Sequence, residues 1–60
     1  MSNPLYKMQF RLADRWIDDY CNGCEEQVIQ QAIWRKDKNP DQHVRVVLFE
    51  NGREMPVFFA

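Results

Sequence analysis

Hydrophobic and polar residues alternate along the first segment of the chain. Tyr6, Met8, Phe10 and Leu12 fall on one side, and Lys7, Gln9 and Arg11 on the other. A period of two puts every second side chain on the same face of an extended strand. Residues 5–12 therefore read as a strand with one apolar and one wet face. Leu5 departs slightly from the alternation. Pro4 stands just ahead of the strand, where its missing N–H does no harm.

Residues 13–21, ADRWIDDYC, admit two readings. As a helix, Asp14 caps it, and Trp16, Ile17, Tyr20 and Cys21 line one side. As a strand, Ala13-Asp14-Arg15 forms a tight turn and the chain returns beside the first strand. Trp16, Asp18 and Tyr20 then share one face, and Ile17, Asp19 and Cys21 the other. So short a helix is marginal on its own, so the strand is preferred. Asn22-Gly23 ends the segment in either case.

A change of period marks the helix predicted over 23–37. Val28, Ile29, Ala32 and Ile33 fall on one helical face, which Cys24 extends. Asn22 is suited to the N-cap, with Glu25 three residues on as in a capping box. Glu25 and Glu26 in the first turn, and Arg35, Lys36 and Lys38 near the end, suit the helix dipole. Asn39-Pro40 stops it, because the residue before proline avoids helical backbone.

Residues 43–59 read as a β-hairpin around Asn51-Gly52, two residues that tolerate positive φ. A two-residue loop there pairs Glu50 with Arg53, Phe49 with Glu54, Leu48 with Met55, Val46 with Val57 and Val44 with Phe59. The core face becomes Val44, Val46, Leu48, Met55, Val57 and Phe59. Arg45, Val47, Phe49, Glu54, Pro56 and Phe58 take the other. Pro56 falls opposite Val47 at a non-hydrogen-bonded position, so its missing N–H points outward. The last strand is then a sheet edge, 43–50 is an inner strand, and 5–12 pairs on its free side. The predicted fold class is α+β: a small antiparallel or mixed sheet of three to four strands, with one helix packed on one face. The element order is β-β-α-β-β, or β-α-α-β-β if 13–21 is helical. Residues 1–60 form a single small domain.

Composition narrows the function classes. The apolar fraction is 45% and the charged fraction 28%, an ordinary globular balance. The formal net charge of -1 gives no broad attraction to phosphate backbones, so nucleic acid is not the favoured partner. No apolar run approaches the roughly 18 residues that a membrane span requires. The stretch MSNPLYKMQF lacks the charged and apolar regions of a signal peptide, and a cytoplasmic location is expected. Cys21 and Cys24 form one CxxC, and with His43 as the only histidine no four-ligand zinc set is legible. Acidic Glu25 and Glu26 beside the thiols disfavour a reactive thiolate. No metal or other cofactor is expected.

Four residue sets stand out. Val47, Phe49, Pro56 and Phe58 make the outer hairpin face too apolar to be left in water, unless the sheet is buried on both sides. Trp34 lies off the apolar helical stripe beside Arg35, a pairing enriched at binding hot spots. Asp14, Asp18 and Asp19 suggest an acidic face, more simply solvated than metal-binding. Arg35, Lys36 and Lys38, with Arg45 and Arg53 and the rings of Trp34 and Phe58, suggest a weaker platform for single-stranded nucleic acid. No nucleophile elbow, phosphate loop or dinucleotide fingerprint is present, and the chain is not expected to be an enzyme. The sequence thus points to a small protein-interaction module that binds and modulates a larger protein or assembly, or pairs with a second copy of itself. The alternative is a nucleic-acid-binding accessory domain. No membrane partner is expected.

Overall fold

The computed structural model describes residues 4–60. Residues 1–3, part of the stretch read above for a targeting signal, lie outside the described residues. The elements are β1 (Leu5–Leu12), β2 (Arg15–Asn22), α1 (Glu25–Lys38), β3 (Val44–Glu50) and β4 (Arg53–Phe59). The strands form one sheet in the order β2-β1-β3-β4, every neighbouring pair antiparallel. The chain is therefore an α+β fold of order β-β-α-β-β, and residues 13–21 hold a turn and a strand rather than a second helix. As Pro56 implied, β4 is an edge and β3 is inner.

Both hairpins close on two-residue turns. Asn51 and Gly52 have φ of 54° and 75°, the primed geometry whose twist matches the flanking strands. In the other hairpin Ala13 takes φ 57°, a region that L-residues with a Cβ enter at a cost.

Each edge strand carries one β-bulge, and both bulges change the predicted faces. In β2 the register shifts beside Met8 and Gln9: Met8 pairs with Tyr20, and Gln9 with Asp18. Asp19 is the extra residue. Tyr20 thus joins Ile17 and Asp19 on the helix side, while Cys21 moves to the open face opposite Lys7. In β4 the extra residue is Val57. Val46 pairs with Phe58 instead of Val57, and Arg45 with Phe59. The Ala60 N–H reaches the Val44 carbonyl at 3.0 Å, so Ala60 takes the place predicted for Phe59. A bulge inserts one residue against the period of two, which alternation alone does not show.

Met8, Val44 and Val46 from the inner strands and Val28 and Ala32 from the helix form the buried core, bordered by Tyr6, Phe10, Tyr20, Ile29 and Phe58. The helix stripe is rotated from the predicted one. Ile33, placed in the core by sequence, is 52% exposed, and Arg35 lies half-buried in its stead. The start of the helix also differs. Cys24 occupies the N-cap position without a side-chain cap. Asn22 instead accepts the Cys24 N–H on its Oδ1 at 3.0 Å, a turn upstream of the helix. Its Nδ2 donates to Tyr20 Oη at 3.0 Å and Gln27 Oε1 at 2.8 Å, tying β2 to the first helical turn.

Candidate interaction surfaces

α1 packs on β1, β3 and β2 and makes at most marginal contact with β4. Simple widths explain this. Strands lie about 4.8 Å apart, and a helix with its side chains is about 10–12 Å across. One helix covers two to three strands and leaves the fourth bare. Arg35 and Gln27 hold one flank of the helix toward β2, through Asp19 and Asn22. The other flank, carrying Ile29 and Ile33, therefore looks toward β3 and β4. There Leu48 pairs with Met55 and Val46 with Phe58, all on the helix side. Met55 is 61% exposed and Leu48 and Phe58 are half-buried. An open recess of about 390 Å3, lined by Leu48, Glu50, Asn51, Arg53 and Met55, continues this shelf to the hairpin turn.

The open face of the sheet is organised differently. At its centre Gln9 is only 2% exposed although no helix covers it. Its Oε1 accepts from Arg45 Nε at 2.8 Å, and its Nε2 donates to Asp18 Oδ1 at 2.7 Å and lies 3.3 Å from both Glu54 oxygens. Lys7 Nζ pairs with Asp18 at 3.3 Å and Glu54 at 3.4 Å and sits 4.3 Å above the Phe49 ring. Burial lowers the Lys7 pKa, but the hydrogen bonds and charges of Asp18 and Glu54 outweigh it and hold the ammonium above its ordinary value. Val47, between Lys7 and Pro56 in the ladders, is fully buried.

The residues singled out from sequence are thus dispersed. Val47, Phe49 and Pro56 share the open face, but Val47 is covered and Phe49 lies under Lys7. Phe58 is on the opposite side, packed against the core. The apolar hairpin face predicted from alternation does not form as one patch. Trp34 is 59% exposed, with Lys38 Nζ 4.6 Å from its ring centroid. Arg35 serves the fold: its guanidinium lies 3.9 Å over the Phe10 ring and donates to Asp19 Oδ2 and Gln42 Oε1, each at 2.9 Å. Asp14, Asp18 and Asp19 do not share a face. Asp14 is in the β1–β2 turn, Asp18 is on the open face bound to Gln9 and Lys7, and Asp19 meets the helix. Lys36 Nζ donates to the Gln42 carbonyl at 2.8 Å, anchoring the loop that follows the helix.

Sequence reasoning placed Met55 and Ile33 in the core and missed the exposure of Phe59. The signal for Met55 was available in the element count, because one helix cannot cover four strands, whereas Ile33 depends on the place that Arg35 takes. Phe59 depends on the bulge. Cys21 and Cys24 are exposed free thiols. Among the described residues no group of three or more His, Cys, Asp and Glu side chains is gathered as a metal site. No helix among them is long and apolar enough to cross a membrane. Comparison with protein-family models, curated proteins and solved structures finds no match to this chain.

Proposed function

We propose that this chain is a small non-enzymatic interaction module that binds another protein, a larger partner or a second copy, through the shelf formed by Ile29, Ile33, Leu48, Met55 and Phe58. The observation that carries this reading is the uncovered β4, which leaves Met55 and Ile33 more than half exposed beside half-buried apolar neighbours. Large apolar side chains left exposed on one side of a small domain are costly in water and mark protein contact sites. Pro56 and the bulge at Val57 both obstruct strand addition along the β4 edge, so the contact is by side-chain packing. The titratable groups Lys7, Asp18 and Glu54 bind one another across an open face rather than facing a cavity, which supports a non-catalytic role. Exposed unpaired thiols fit a reducing compartment, in keeping with a cytoplasmic location.

The test is affinity capture of the full chain from its native cell, with nuclease treatment, for the wild type and an Ile33→Glu/Met55→Glu variant. The expected result is a stoichiometric protein that survives nuclease and is lost with the variant. Recovery abolished by nuclease, or equal recovery by the folded variant, overturns the reading.

A further inference from the structure

One end of the open face carries an arrangement independent of the apolar shelf. The ladders set Arg11 opposite Trp16 and Arg45 opposite Phe59. The Arg45 guanidinium carbon lies 4.1 Å from the Trp16 ring centroid, and that of Arg11 lies 5.6 Å from it. Two cations are thereby gathered on one indole. Arg45 Nε is engaged by Gln9 Oε1 and Arg11 Nε by the Ala13 carbonyl. Among the described residues the ion pairs are Lys7–Asp18, Lys7–Glu54 and Arg35–Asp19, so neither Arg11 nor Arg45 has a carboxylate partner there. Their terminal nitrogens remain available as forks for an anion. Beside them Phe59 is 67% exposed, and a cleft of about 270 Å3 runs between Trp16, His43 and Phe59.

We propose that this cleft binds single-stranded nucleic acid, with a base stacked on Phe59 and flanking phosphates held by Arg11 and Arg45. The two unpaired forks select an anion. The uncovered flat ring selects for a planar group next to that anion, which a base supplies and an acidic side chain does not. The cleft is smaller than the roughly 300–1,000 Å3 pockets that enclose a free ligand, and it is open, as suits a polymer passing over it. The acidic groups of the same face, Asp18 and Glu54, are met by Lys7, which limits their repulsion of a phosphate. The residues differ from the Trp34–Arg35 set suggested by sequence, since Arg35 is engaged within the fold.

The test uses the full chain carrying Trp34→Phe, which leaves Trp16 as the only indole. A short single-stranded oligothymidylate is titrated against Trp16 fluorescence, with the anisotropy of a labelled oligomer as a second readout. Saturable binding is expected, with log K falling against log salt at a slope of about -1.4 for two phosphates. Arg11→Gln/Arg45→Gln should weaken binding at least tenfold and flatten that slope. Phe59→Leu, at an exposed site outside the core, should weaken it roughly 5- to 150-fold and leave the slope unchanged. Absence of binding by both readouts, retention of full affinity by the folded variants, or an equal response to polyglutamate each overturns the proposal. These outcomes leave the protein-binding shelf unaffected, since Ile33 and Met55 take no part in them.

Discussion

Gln9 and Arg45 stand opposite one another on the two inner strands, and the Arg45 Nε donates to the Gln9 Oε1 at 2.8 Å. This bond fixes which way the Gln9 amide points. Its Nε2 is then directed at Asp18 and Glu54, and one buried amide joins side chains from all four strands. A polar group buried to this degree is stabilising only while it is fully partnered. Gln9→Leu preserves volume but strands the Asp18 and Arg45 groups. A loss of about 1–3 kcal/mol is expected in urea unfolding. A loss below about 0.5 kcal/mol would place the network among ordinary surface contacts.

The alkaline limb of stability should depend on Lys7. Its folded pKa is raised, so its contribution is fully present below the unfolded lysine value near ~10.4 and is lost as pH rises through the higher folded value. Lys7→Met should be less stable than wild type at neutral pH, and the difference should shrink above pH ~10.4. Paired chemical-denaturation curves at neutral and alkaline pH measure this directly. A difference that stays constant with pH would remove Asp18 and Glu54 as the cause.

Arg35 is predicted to be a stability residue. Stacking on Phe10 and two hydrogen bonds hold it between helix and sheet. Arg35→Ala should cost about 1–2 kcal/mol. Arg35→Lys should recover little, because an ammonium cannot stack flat and fork at once. Thermal melts of the two variants give the comparison. Full rescue by lysine would show that charge alone is at work.

The two turns should respond in opposite directions. Ala13 occupies positive φ, so Ala13→Gly relieves strain and should stabilise by about 0.5–1 kcal/mol. Gly52→Ala should cost about 1–2 kcal/mol, entirely through backbone conformation, since a Cβ there meets no atom within 4 Å. Equal effects of one sign at both turns would contradict these assignments.

The alternation of Tyr6, Met8 and Phe10 and the Asn51-Gly52 turn determine β1 and the second hairpin, and Pro56 marks the edge strand. The registers past Asp19 and Val57 were not legible, because a bulge is one extra residue with no necessary change of composition. Phe58 and Phe59 exchanged faces for that reason. The helix stripe was misjudged at Ile33 because an arginine that stacks on Phe10 and binds Asp19 takes a half-buried place that hydropathy assigns to an aliphatic residue. The shelf is a property of how one helix sits on four strands. The cleft at Trp16 and Phe59 draws on residues from all four strands and depends on the β4 bulge, so no local motif announces it.

The central claim is that another protein covers the face of β4 that α1 leaves bare. Photo-crosslinking in the native cell tests it most directly, with Met55 replaced by a photoreactive phenylalanine analogue and Asp14, exposed in the β1–β2 turn away from β4, replaced likewise as a control. The account predicts a discrete protein adduct from the Met55 position and none from the Asp14 position. No adduct from the Met55 position of the folded chain, or equal adducts from both, would contradict it.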